Sequence, residues 1–196
     1  RVFLFQLLAV TGQWQRALTQ LQLCGELDHG TLAMVQTYRD AIQCEALRES
    51  VFPGKTTPHV VGKPDPWVAL MIQALASDAQ GDAAGAVALR SQAMDQAPAR
   101  PGHIGDKSFT WLADADSRLG PILEVIISGR YGWLPMHSIE KLDIERPQVL
   151  VEALYSKLDD VTNNEEGYKE VGRPGCTNVN NVPGQGTSKD GCSTGE

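Results

Sequence analysis

The feature that most limits how this chain can fold is a succession of short apolar stripes at helical spacing, each cut off by a glycine-bearing break. In the second segment Trp14, Ala17, Leu18 and Leu21 fall on one face while Gln15, Arg16, Gln20 and Gln22 face away, the one-sided pattern of an amphipathic helix. Before it, Phe3, Leu7 and Val10 recur at steps of four and three, with Leu4 and Leu8 as a second apolar row. That opening segment is expected to be a buried helix covered on more than one side. Gly12 lies in the break between the two, and so short a connection forces them antiparallel.

A third helix carries Val35, Tyr38, Ile42 and Ala46 and ends near Phe52. Residues 53–66 hold four prolines and two glycines, so they form an irregular connector with at most a short extended piece at Val60 and Val61. Asp65 and Pro66 supply an N-cap and a first-turn proline for a fourth helix, whose stripe is Trp67, Leu70, Met71, Ala74 and Leu75. Gly81 and Asp82 turn the chain into a fifth, built on Ala86, Leu89, Ala93 and Ala97 and closed by Pro98.

The order Gly12, Ala17, Cys24 repeats as Gly81, Ala86, Ala93, a small residue at equal offsets after each turn. Single helical hairpins cannot bury their apolar faces, so they stack, and a tetratricopeptide-like hairpin domain is expected over residues 1–100. A small α+β element follows over residues 101–157. It comprises a tight hairpin around Gly105 and Asp106, an apolar helix with Leu123, Ile126 and Ile127 capped by Asp116 or Ser117, and strands at 131–135 and 139–145 with Leu142 and Ile144 inward. From residue 158 to 196 apolar residues are so sparse that burial cannot offset ordering entropy, and a disordered tail is expected. The fold class is therefore mainly α.

Charge narrows the function classes. The 24 acidic residues outnumber the 17 basic ones for a net charge of −7, which leaves no positive field for a phosphate backbone and argues against nucleic acid as partner. The apolar run at 2–10 has about half the ~20 residues needed to cross a bilayer, so no membrane insertion is expected. Cys24, Cys44, Cys176 and Cys192 have no C-x-x-C spacing, which points away from zinc knuckles and redox pairs and towards a reducing compartment.

No constellation for catalysis emerges. His29, His59, His103 and His137 are scattered, and no nucleophile elbow or phosphate loop is present. Asp114, Asp116 and Glu124 are the candidates for a carboxylate site, but the segment offers too few oxygen ligands for a hard cation; Asp114 and Asp116 with His137 would be the seed of a metal-dependent hydrolase. The simpler reading gives one aspartate to a cap and the other to Arg118. No catalytic residue, cofactor or metal is therefore expected. Trp14 and Trp67 sit on core stripes, and a groove between hairpins would accept an amphipathic helix.

Two strings carry a resemblance. Arg1-Val2-Phe3-Leu4-Phe5-Gln6-Leu7-Leu8 precedes Gly12-Gln13-Trp14, Ala17 and Leu18. Later Trp111-Leu112-Ala113-Asp114-Ala115-Asp116-Ser117-Arg118-Leu119-Gly120-Pro121 is continued by Leu123, Glu124, Gly129, Arg130, Tyr131 and Trp133-Leu134-Pro135. Over roughly residues 1–150 the chain resembles the ImpE/TagJ (SciE) family of type VI secretion accessory proteins. The resemblance implies a non-enzymatic adaptor of the bacterial cytoplasm that binds the N-terminal helix of the small sheath subunit and so touches the ClpV ATPase system of sheath recycling. It implies no catalytic residue: Trp111, Asp114, Asp116, Ser117, Arg118, Gly120, Pro121 and Trp133 are read as architectural motif positions. Members carry a further helix-rich stretch before the position of Arg1 and a β-rich end with an arginine-tyrosine-proline-glycine-like motif; from about residue 151 the chain is expected to depart from the family. A general tetratricopeptide-like scaffold of another complex is the alternative.

Overall fold

The computed structural model describes residues 1–144, 155–163, 167–168 and 171–174. Five helices come first: α1 (Val2–Val10), α2 (Trp14–Leu27), α3 (Leu32–Val51), α4 (Pro66–Ala79) and α5 (Ala83–Gln96). The strands are β1 (His59–Val60), β2 (Gly102–Ile104), β3 (Lys107–Phe109), β4 (Ile122–Ile127), β5 (Arg130–Pro135), β6 (Ile139–Ile144), β7 (Tyr155–Asn163), β8 (Gly167–Tyr168) and β9 (Val171–Pro174). The chain divides into two compact units, one of Arg1–Glu49, Val125–Tyr131 and the described residues from 141 to 174, the other of Ser50–Glu124 and Gly132–Glu140.

In the first unit α1 and α2 pair as a hairpin. Gly12 at its turn has φ +70, a left-handed backbone that glycine adopts without steric cost. Phe5, Leu8 and Ala9 of α1 and Ala17, Leu21 and Cys24 of α2 are buried, as are Val35, Tyr38, Ile42 and Cys44 of α3. Phe5 and Tyr38 meet with ring centroids 5.4 Å apart, within the range of favourable aromatic pairs. Ala46, read as part of the α3 stripe, is exposed, and Cys44 and Glu45 are buried in its stead.

Ser128 (φ 49) and Gly129 (φ 72) turn the chain between β4 and β5. Two successive positive φ angles match the twist of flanking strands. In this unit the end of β4 pairs antiparallel with β9, Ile126 opposite Gly172. β9 also pairs antiparallel with β7, Leu158 opposite Val171, and β7 with β8.

In the second unit α4 and α5 form the other hairpin. Trp67, Val68, Met71, Ala74 and Leu75 of α4 and Ala86 and Ala93 of α5 are buried. All four small residues of the internal echo, Ala17, Cys24, Ala86 and Ala93, are thus core positions. The Asp82 side chain accepts the Gly85 N–H at 2.9 Å, an N-cap bond that satisfies one of the helix's orphan donors. β1 runs parallel to β5, with His59 opposite Gly132 and Val60 opposite Trp133, and β2 and β3 make the expected hairpin.

Three expectations change. The apolar helix with Leu123, Ile126 and Ile127 is the strand β4 instead. Its six residues include four β-branched ones, and nearly all are buried, so a helix's polar face was never encoded and a two-sided buried strand is favoured. Asp116 and Ser117 accordingly cap no helix there. The tail expected to be disordered from residue 158 contributes strands at 158–163, 167–168 and 171–174; main-chain pairing in the β7–β9 ladder supplies the order that its composition alone did not predict. The remainder of that tail, with Cys176 and Cys192, lies outside the described residues. Finally, among the described residues α1 is covered on one side only, with Phe3, Leu4, Leu7 and Val10 exposed.

Candidate functional site

The aspartate-rich motif is a loop in the second unit that braces itself. Asp114 donates its N–H to the Gly120 carbonyl at 2.6 Å, and the Asp114 carboxylate accepts the Asp116 N–H at 2.8 Å. The Asp116 carboxylate accepts the Arg118 N–H at 2.9 Å and takes the Arg118 guanidinium in a forked pair, Nη2 to Oδ2 at 2.6 Å and Nε to Oδ1 at 3.0 Å. That guanidinium stacks over the Phe52 ring, 4.4 Å from its centroid, where a planar cation is attracted by the ring face.

Gly120 stands at φ +58, and a Cβ there would lie 3.2 Å from Met94 Sδ. Pro121 is buried and accepts the Met136 N–H at 2.9 Å. Trp111 is half-buried, Ser117 is exposed and Trp133 is wholly buried. The pairing of Asp116 with Arg118 is as expected, whereas Asp114 serves a turn.

Nor are Asp114, Asp116 and His137 brought together as ligands. His137 Nε2 lies 3.2 Å from Asp65 Oδ2, its ring packs edge-on to Trp67, and its carbonyl accepts Arg100 Nη1 at 2.7 Å. Asp65, expected to cap α4 through its side chain, makes that histidine contact and no cap bond. Among the described residues no group of three or more His, Cys, Asp or Glu side chains is arranged to hold a metal.

Two surface features of the first unit are of a different kind. On α1, Phe3 is 68% exposed, Leu4 41%, Leu7 42% and Val10 44%, so the row at 3, 7 and 10 forms an apolar ridge that points to solvent. The periodicity was legible in the sequence, but α1 is apolar on every side, and no polar stripe marked which row packs against α2. Trp14, placed on the core stripe, is half-buried and donates its indole N–H to Glu49 at 2.8 Å. Between α2 and α3 lies a shallow groove lined by Gln15, Leu18, Thr19, Gln22, Arg39 and Gln43. It is polar, unlike the apolar furrow expected for a visiting helix. No helix among the described residues is long and apolar enough to cross a membrane.

Cys44 is buried and donates its thiol to the Gly129 carbonyl at 3.3 Å. Burial pushes the thiol up to about 11, with the Asp40 and Glu45 charges adding to it and a bond from the Tyr131 backbone opposing. A thiol held this high is inert, not nucleophilic. Alkylation of Cys44 by iodoacetamide at pH 8, followed by mass spectrometry, is expected to run at least ~10-fold slower in the native chain than in denaturant, because the thiolate fraction falls. The same shift has a sign for stability: below pH 9 both states keep the proton, and as pH rises from 9 towards 11 the unfolded chain loses it first, so stability declines over that window.

A family model described as ImpE protein matches residues 106–174. The family's pattern therefore runs well past residue 150, and the expected departure near 151 does not occur there. The type VI secretion system accessory component TagJ of Pseudomonas aeruginosa is 59% identical over 150 residues, which make up 76% of this chain and 53% of that protein; the chain thus spans about half of this relative's length. A crystal structure of a Vibrio parahaemolyticus protein superposes with a TM-score of 0.81 at 24% identity, covering 92% of this chain and 67% of that one, a likeness of fold. By the motif loop, the family model over residues 106–174 and the identity to TagJ taken together, this chain is similar to the ImpE/TagJ family.

Proposed function

We propose that the chain is a non-catalytic accessory component of type VI secretion in the bacterial cytoplasm. It holds an amphipathic helix, that of the small sheath subunit's N-terminus, and through it meets the ClpV-dependent recycling of sheaths. The name of the 59% identical relative supports the secretion role. The observation that carries the holding role is the α1 ridge of Phe3, Leu4, Leu7 and Val10. Four large apolar side chains turned to water within nine residues favour association, and their spacing of three and four is that of one helix seated along another. The self-bonded aspartate loop fits the same reading, since its carboxylates are spent on turns and on Arg118, not on a substrate.

Isothermal titration of the chain with a peptide of the small subunit's N-terminal helix tests this. A Kd near ~1 μM, about −8 kcal/mol, is expected for a reversible adaptor. Leu7→Glu, in the middle of the ridge, is expected to weaken it by at least ~30-fold, because an unpaired charge would face the apolar side of the ligand. No heat or anisotropy change at high micromolar peptide would sink the proposal. Capture of an unrelated complex in place of sheath proteins would favour a general helical scaffold.

A further inference from the structure

The groove between α2 and α3 has a composition that its surroundings do not explain. Gln15, Thr19 and Gln22 follow one another at helical steps along α2, with Leu18 beneath, and Arg39 and Gln43 face them from α3. Among the described residues no carboxylate lines it, in a chain whose net charge is −7. Arg39 is half-buried, yet among the described residues it has neither an ion pair nor a hydrogen bond. The arginines of the second unit behave otherwise: Arg90 has Asp78, Arg118 has Asp116 and Arg100 has the His137 carbonyl. A partly desolvated guanidinium with no partner is costly, and its rigid fork of N–H donors matches a carboxylate.

The neighbouring groups leave that fork open. Gln22 is held by Glu26, its Nε2 donating to Oε1 at 2.9 Å, and the Thr19 hydroxyl donates to the Gln15 carbonyl at 3.1 Å. Asp40, next in sequence to Arg39, accepts from Gln36 at 2.9 Å. The Gln15 and Gln43 side-chain amides carry no such bond among the described residues. The groove encloses about 250 Å³, below the ~300–1,000 Å³ of small-molecule pockets and on the scale of one or two side chains.

We propose that this groove docks an acidic side chain of a partner polypeptide, with its carboxylate forked on Arg39 and flanked by the amides of Gln15 and Gln43. A single cation in a net negative chain is a poor phosphate site, since nucleic-acid surfaces gather many. One charged pair flanked by neutral donors suits a lone glutamate or aspartate and gives orientation more than raw affinity. The site is separate from the α1 ridge and does not depend on the secretion reading.

The test uses the full chain, labelled with ¹⁵N, and a blocked glutamate-alanine decapeptide beside its glutamine-alanine counterpart. Saturable shifts of the Arg39 Nε–H and of the Gln15 and Gln43 side-chain amides are expected with the glutamate peptide only. Arg39→Gln is expected to raise its Kd at least ~10-fold, as loss of a charge-assisted fork does. Gln43→Glu, at an exposed position, should weaken binding comparably, because the new carboxylate pairs with Arg39 itself and repels the carboxylate of the peptide. Equal binding of the glutamine peptide, an unchanged Kd in both variants, or the same shifts with inorganic phosphate would each overturn the proposal.

Discussion

Trp133→Ala is expected to lower the stability of the chain by about 3–5 kcal/mol, the usual cost of removing a fully buried aromatic side chain. Trp133 has no exposed surface. Its backbone pairs with Val60 in the parallel β1–β5 ladder, and its carbonyl accepts the Val61 N–H at 2.9 Å, so a cavity there also loosens the only strand of the connector. For a chain of this size the melting temperature should fall by roughly 10–15 °C, while Trp133→Phe, which refills most of the volume, should lose far less. The folded fraction should bind the helix peptide as the parent does. A variant that keeps its melting temperature but no longer binds would show that the motif tryptophan touches the partner and is not architecture.

That expectation has its root in what the sequence could and could not display. Helices whose two faces differ were legible: α2 and α4 set small or large apolar residues against glutamine and serine, and the turns at Gly12 and Gly81 fell where the stripes broke. The short extended piece in the proline-rich connector and the hairpin at Gly105 were legible for the same reason, because local turn chemistry encodes them. β4 was not. A six-residue run of Ile122, Leu123, Glu124, Val125, Ile126 and Ile127 has no periodicity to choose between buried strand and buried helix, and the preceding aspartates and proline imitated a helix start. Its neighbours in space decide the matter: strand β9, some 45 residues further along the chain, pairs with its end. No local window contains that information.

The candidate sites divide along the same line. The fork of Asp116 with Arg118 is two residues apart and was legible, whereas Arg118 on Phe52 and His137 on Asp65 join residues more than sixty apart and were not. The α1 ridge was half legible: the spacing of Phe3, Leu7 and Val10 was plain, but their exposure together with Leu4, and the burial of Phe5, Leu8 and Ala9, is decided by where α2 lies. The groove of Arg39 left no motif at all, since glutamines spaced along a helix read as an ordinary solvated face. A half-buried cation without an acid becomes visible only when the surroundings can be counted.

Gly54→Ala is expected to cost about 2–4 kcal/mol, and the reason can be split into two parts by a companion substitution. The turn after α3 closes with the Gly54 N–H on the Val51 carbonyl at 2.8 Å and the Lys55 N–H on the Ser50 carbonyl at 3.0 Å, the paired bonds of a Schellman motif with glycine in the left-handed position. Gly54 has φ +69, and a Cβ there would meet Ala79 Cβ at 2.9 Å and the Leu75 carbonyl oxygen at 3.0 Å. Neither is the tip of a flexible side chain, so α4 or the turn itself would have to move, with loss of the position of Phe52 beneath Arg118. Gly62 has φ +83 but nothing within 4 Å of its would-be Cβ, so Gly62→Ala should suffer the dihedral strain alone, about 1 kcal/mol. Urea unfolding of the two variants therefore separates backbone strain from steric contact. Midpoints that drop by equal amounts would mean that Gly54 is required only for its φ, and that its close approach to α4 contributes nothing to the stability of the second unit.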